Sequence, residues 1–181
     1  MTQATYTIAP ASRRHLSALA AIELAAARLL EGHAPESVLA ETTSKDVLRE
    51  AEESGRLWVA LLKDEPVGFA HVIIPEPNRA HLEEIDVHPA HGRRGLGTCL
   101  VQAVCEWAET AGYKSVTLCT FRDVPFNAPF YARLGFEIVL AADLTPALRA
   151  IVADETRRGL DPAKRVVMRR WCNPTAGMES A

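Results

Sequence analysis

Apolar residues recur along this chain with two periods, and the switches between them mark the elements. Thr5–Ile8 alternates as a short first strand that Pro10 ends. Leu16, Leu19, Ile22, Ala26 and Leu30 then keep helical spacing, which predicts a helix from about Arg13 to Leu30 with Ser12 as N-cap and Gly32 as the stop. Pro35–Glu53 predicts a second helical segment, richer in charge and so a flank or lid rather than core. Leu57–Leu62 (LWVALL) and Val67–Ile74 (VGFAHVII) are apolar runs joined by Lys63-Asp64-Glu65-Pro66, the pattern of a hairpin. Ala80–Val87 would extend the same antiparallel sheet.

The chain is organised around the stretch from His81 to Ala111. Pro89 ends the strand's alternation, Gly92-Arg93-Arg94-Gly95-Leu96-Gly97 forms a loop, and Leu96, Leu100, Val104, Trp107 and Ala111 return to helical spacing. Gly112 closes this helix and Ser115–Thr120 is another strand, so the strand–helix–strand unit predicts a parallel pair. A short helix over Asn127–Leu134, a strand over Phe136–Leu140, a helix over Thr145–Arg158 and a last strand over Arg165–Trp171 complete the pattern. The expected architecture is one α+β domain over residues 1–172, with a loose tail over 173–181.

Composition acts mainly by exclusion. A 181-residue chain fits one well-buried domain, and 48% apolar with 24% charged residues is a globular balance. A net charge of −3 gives no polyanion-binding signal, so nucleic acid is not an expected partner. No apolar run reaches membrane-spanning length and the N-terminus lacks the features of a secretion signal, which makes the cytoplasm the expected location and a membrane an unexpected partner. Cys99, Cys105, Cys119 and Cys172 form no CxxC pair and read as buried free thiols. His81, His88 and His91 have no arrangement that suggests a metal, and none is expected.

A strand feeding a glycine-rich turn that opens a helix is an anion site, because unpaired N–H groups point outward and the helix dipole favours negative charge. The spelling G-x-x-G-x-G excludes the dinucleotide fingerprint, and the absence of lysine excludes the nucleoside-triphosphate loop. Val87-His88-Pro89 followed by Gly92–Gly97 is similar to the acetyl-CoA loop (Gln/Arg-x-x-Gly-x-Gly/Ala) of the GNAT superfamily of N-acetyltransferases. The departure is Gly92, where Gln or Arg is usual. Its backbone N–H is expected to serve in their place. Tyr131-x-x-x-Gly135-Phe136 resembles a second signature of the same family, and Thr120–Pro129 is similar to a bacterial branch of it.

The resemblance implies a mixed, mostly antiparallel twisted sheet splayed at a central parallel pair and flanked by helices. It implies acetyl-CoA as co-substrate, held by Ile85, Asp86, Val87, Gly92, Arg93, Arg94, Gly95, Leu96, Gly97, Thr98 and Asn127. The acceptor would be a primary amine of a small molecule or peptide. Tyr131, a phenol protonated at neutral pH, would act as the acid for the departing thiolate. For a regular strand, His81, Glu83, Ile85 and Val87 share one face, and Leu82, Glu84 and Asp86 the other. On that parity Glu83 is the expected base or amine-orienting group, with His81 second. Glu84 is a substrate anchor if the strand bulges, since a one-residue slip exchanges the faces. Glu23 is a further anchor. A non-catalytic acyl-CoA-binding module is the alternative, and a homodimer through the last strand and helix is compatible with the pattern.

Overall fold

The computed structural model describes residues 5–173, so most of the tail expected over 173–181 lies outside the described residues. Seven strands form one sheet: β1 (Tyr6–Pro10), β2 (Leu57–Leu62), β3 (Glu65–Glu76), β4 (Arg79–Val87), β5 (Ser115–Phe121), β6 (Glu137–Ile138) and β7 (Arg165–Trp171). Their spatial order is β1-β2-β3-β4-β5-β7-β6. Every neighbouring pair is antiparallel except β4 and β5, which run parallel. The fold is therefore α+β with a mixed, mostly antiparallel sheet. The parallel pair needs a crossover, which α4 (Leu96–Thr110) supplies.

Helices cover both faces because both faces of the central strands are apolar. On one face α4 sets Leu96, Leu100, Val101, Val104 and Ala108 against Ala70, Val72, Leu82 and Leu118. The short α5 (Ala128–Arg133) adds Ala128 and Tyr131 to that cluster. On the other face α1 (Leu16–Ala27) and α3 (Lys45–Glu53) bring Leu19, Ile22, Leu48 and Ala51 onto Leu57, Val59, Leu61 and Phe69. The same face carries α6 (Pro146–Arg157), whose Leu148 packs with Val139 and Val167.

Three expectations change. The segment over residues 35–53 is two helices, α2 (Glu36–Leu39) and α3, because the chain between them is held elsewhere. Thr43 donates its N–H and hydroxyl to Glu23 on α1, and Ser44 caps α3 through Val47 N. The strand expected over 136–140 shrinks to β6, although Val139 N still donates to Val167 O at 2.9 Å. Cys99 is exposed rather than buried, lying on the outer side of α4, while Cys105 is buried as expected.

The register of β4 decides the site. Val72 pairs with Leu82 but His71 pairs with Glu84, so Glu83 is an extra residue with no partner on β3. This bulge shifts the parity expected for a regular strand. Ala80, Leu82, Ile85 and Val87 all pack toward α4. Glu84 and Asp86 join His81 and Glu83 on the opposite face, where α1 and α6 lie. The expectation that Ile85 and Val87 share a face with His81 and Glu83 is thus overturned, and the conditional placement of Glu84 applies.

Candidate active site

Gly95 begins α4 at φ +78°, a left-handed conformation open to glycine at no steric cost, and Arg93 adopts φ +58° just before it. This turn folds Leu96 into the core and leaves the N–H groups of Arg93 through Thr98 without an acceptor among the described residues. Six successive donors at the positive end of a 15-residue helix fit a pyrophosphate. Gly92 is not among them, because its N–H donates to Pro89 O at 3.1 Å. The expectation that the Gly92 N–H grips the ligand is corrected on that ground. The side chains of Arg93 and Arg94 are at the surface, with the Arg94 guanidinium over the Tyr6 ring. Tyr6 in turn meets His91 Nδ1 at 3.1 Å, which ties the outer strand to the loop.

A cleft runs from this loop into the sheet. Pairing of β4 with β5 extends from Arg79↔Ser115 only to Leu82↔Leu118, while β3 stays paired with β4 up to Val87. From Glu83 to Val87 the β5-facing edge of β4 therefore has no strand partner, and the backbone of Ile85, Asp86 and Val87 is open to an extended ligand. Tyr131 stands beside the gap. Its ring packs on Phe130 and Phe136 and it is only 8% exposed, yet its hydroxyl has no hydrogen-bond partner among the described residues. Burial, then the charges of Glu84 and Asp86, raise its pKa above the ordinary tyrosine value, so it stays protonated. Asn127, one turn earlier, points its Oδ1 back to the Thr120 hydroxyl at 2.8 Å and thereby fastens α5 to β5.

Across the strand from this edge is a polar wall. His81 is 2% exposed and its Nδ1 lies 2.9 Å from Thr117 Oγ1. Thr117 donates its one proton to Ala80 O, so Nδ1–H of His81 donates to Thr117, and Nε2 carries the lone pair. That lone pair lies 3.8 Å from Glu83 Oε2, whose side chain remains 41% exposed. Burial and the nearby Arg165 lower His81 to about 4, keeping it neutral. Burial, with Glu155 next, raises Glu83 above the usual carboxylate range.

Glu84 and Asp86 are half-buried and interact with each other. Burial, Glu23 and Glu83 raise Glu84 to about 7, and burial followed by the Glu84 charge raises Asp86 well above its usual value. Glu23, facing them from α1, holds Thr43 with both oxygens, at 3.0 and 2.9 Å from Thr43 N. Its carboxylate is therefore a structural tie for the α2–α3 connection as well as a negative charge at the site.

Four further residues at this wall were not singled out from the sequence. Arg165 at the start of β7 pairs with Glu155 of α6, its Nε 3.1 Å from Oε2, and lies over the Phe121 ring. Arg158 pairs with Glu41, joining the end of α6 to the α2–α3 connection. The only prior signal was the alternation of β7, which put Arg165, Val167 and Arg169 on one face. Cys119 faces the same space, but burial pushes its thiol up to about 12, which leaves it un-ionised. Among the described residues no group of three His, Cys, Asp or Glu side chains is arranged to hold a metal ion, and no helix is long and apolar enough to cross a membrane. A hollow of about 530 Å³ between β1 and α4, beside Trp58 and Trp107, lies on the far face of the sheet from these carboxylates.

Solved structures share this fold. The PaiA N-acetyltransferase of Thermoplasma acidophilum, in complex with coenzyme A, superposes with a TM-score of 0.69 at 16% identity, over 92% of this chain and 99% of that one. The ribosomal-protein-S18-alanine N-acetyltransferase of Escherichia coli gives 0.65 at 18% identity, over 98% and 99%. N-acetylglutamate synthase of Neisseria gonorrhoeae, complexed with coenzyme A and N-acetyl-glutamate, gives 0.67 at 16% identity, over 95% of this chain and 36% of that one. At such identities these likenesses establish the fold. The family model described as acetyltransferase (GNAT) family matches residues 20–136, from α1 through the Tyr131-x-x-x-Gly135-Phe136 signature, and with that match the chain belongs to the GNAT family of acetyltransferases.

Proposed function

We propose that this protein transfers an acetyl group from acetyl-CoA directly to a primary amine of a small molecule or peptide. The observation that carries the reading is the coincidence of three features at one place. The parallel pair opens beyond Leu82 and Leu118, the six N–H groups of Arg93–Thr98 are free of acceptors among the described residues just after that strand, and buried Tyr131 lies near enough to the open stretch to feel the charges of Glu84 and Asp86. Acetyl-CoA would supply an activated acyl thioester. The residues would do the rest. The loop N–H groups hold the pyrophosphate, and the open edge over Ile85–Val87 lines up the pantetheine amides as an added strand would. Glu83 and the neutral His81 Nε2 accept from the amine nitrogen and relieve it of a proton, directly or through water. Tyr131, still protonated, donates to the departing thiolate.

Calorimetric titration with acetyl-CoA, then thiol release across a broad amine panel, tests this assignment. Saturable binding and amine-dependent release are expected. Absence of cofactor binding would sink it. Binding without turnover, unaffected by Glu83→Gln, would instead identify a non-catalytic acyl-CoA-binding module on the same fold.

A further inference from the structure

His81 and Thr117 stand opposite one another in the last paired stretch of β4 and β5, and both are buried. The single proton of the Thr117 hydroxyl goes to Ala80 O at 3.2 Å. Toward the imidazole the hydroxyl can therefore only accept, and His81 Nδ1 lies 2.9 Å from it. One ring nitrogen is thereby committed as the N–H, and the other is left bare.

The bare nitrogen is the one that reaches the cleft. Among the described residues, the buried side-chain polar atoms shut off from solvent and without a hydrogen bond are His71 Nδ1, Asp86 Oδ2 and Ser115 Oγ. His81 Nε2 also lacks a hydrogen bond, yet it is not one of these, so the small exposed part of the ring includes Nε2. Glu83 Oε2 stands 3.8 Å from it, beyond hydrogen-bond reach but close enough for one amine nitrogen to bridge the two acceptors. A neutral ring needs the commitment that Thr117 imposes. Burial and Arg165, which lies over the nearby Phe121 ring, keep His81 uncharged, with a pKa of about 4. An uncharged imidazole has two tautomers, and without Thr117 the favoured one would turn Nε2–H toward the Glu83 carboxylate. A donor there would meet the hydrogens of an incoming amine and would occupy Glu83 as well.

Building on the acetyl-transfer reading, we propose that Thr117 is a positioning residue, which fixes His81 as the Nδ1–H tautomer so that Nε2 holds the acceptor amine by one of its hydrogens. Thr117 itself touches neither amine nor cofactor. The surplus proton of the ammonium form goes to Glu83, whose side chain is open to water, and the electron pair of the broken N–H bond stays on nitrogen for attack on the thioester. One acceptor orients the nitrogen and the other deprotonates it.

Nitrogen-15 NMR of histidine-labelled protein reads the tautomer without requiring turnover. His81, assigned by comparison with His81→Gln, should carry its proton on Nδ1 in the unmodified protein. In Thr117→Val, which keeps the shape of the side chain and removes its acceptor, the proton should move to Nε2, and Thr117→Ser should restore it to Nδ1. With an amine that is turned over, kcat/KM for that amine should fall about ten- to a hundredfold in Thr117→Val, the range for one hydrogen bond to a charged group. KM for acetyl-CoA should stay within about twofold, and Thr117→Ser should recover the rate to within about threefold. An Nε2–H signal in the unmodified protein would overturn the proposal even if Thr117→Val failed to fold. So would a tautomer that Thr117→Val leaves unchanged, or a Thr117→Val protein, folded by circular dichroism, that switches tautomer and keeps its rate. The Nδ1–H form lost in Thr117→Val, in a protein that acetylates no amine, would support the lock and overturn the transfer reading alone.

Discussion

Replacing Tyr131 by Phe removes one oxygen atom, and the structure separates its effect on stability from its effect on rate. The ring keeps its neighbours, since Phe130 and Phe136 lie 5.0 and 5.8 Å away between ring centres. The lost hydroxyl had no partner among the described residues, so no buried bond is broken. Folding stability should then change by less than about 1 kcal/mol, short of the ~1–3 kcal/mol lost when a buried donor is orphaned. Turnover should fall roughly 10²- to 10⁴-fold, the usual contribution of a positioned acid, or roughly 3–5 kcal/mol of barrier. Because burial raises the phenol pKa above the ordinary tyrosine value, the deficit should be constant from about pH 6 to pH 9. Thiol release at saturating acetyl-CoA, calorimetric affinity and a thermal melt measure the three quantities. Turnover within about threefold of the unmodified protein would refute the acid role. A melting point lower by more than about 4 °C would refute the claim that the hydroxyl is structurally idle.

The buried charges set two other outcomes. Glu84 has a folded pKa of about 7, above its unfolded value, so its contribution to stability is fully present below about pH 4 and is lost as pH rises toward 7. Glu84→Gln should therefore gain on the unmodified protein across that window, by up to ~3 kcal/mol at pH 7.5. His71 and His81, both lowered, act in the opposite direction but equally in the two proteins, so the difference between urea titrations at pH 5 and pH 7.5 reports the interacting Glu84–Asp86 pair; a constant difference would contradict their placement. Glu155→Gln leaves the Arg165 guanidinium, 13% exposed, without its carboxylate and should cost about 3 kcal/mol by chemical denaturation, whereas a loss below about 1 kcal/mol would show that solvent reaches the pair.

The sequence disclosed the elements because burial imposes a period on each of them. Leu96, Leu100 and Val104 on α4 and the run Leu57–Leu62 on β2 point inward as their spacing requires. Family motifs likewise placed the loop and Tyr131, since both are local strings. The features that escaped were set by register. A bulge leaves no mark in HLEEIDV, because Glu83 and Glu84 are equally polar, and only the pairing with His71 and Val72 shows which is extra. The Glu155–Arg165 pair was hidden for a related reason. The two residues are ten apart across the α6–β7 turn, whose conformation the composition does not specify. Gly92 was misjudged because whether an N–H is free depends on the Pro89 carbonyl, which turns back on it.

That bulge also bears on how the protein can change. It divides β4 into two sets of positions under separate constraints. Ala80, Leu82, Ile85 and Val87 answer to α4 and tolerate only substitutions that conserve volume. On the proposed reading His81, Glu83, Glu84 and Asp86 would border the acceptor and answer to its charge and shape. A regular strand of nine residues would offer the acceptor side at most five positions, strictly alternating; the extra residue lets two neighbouring side chains, Glu83 and Glu84, emerge there together. Randomising those four positions while holding the other four is thus a route to new acceptor preferences that leaves the packing against α4 intact.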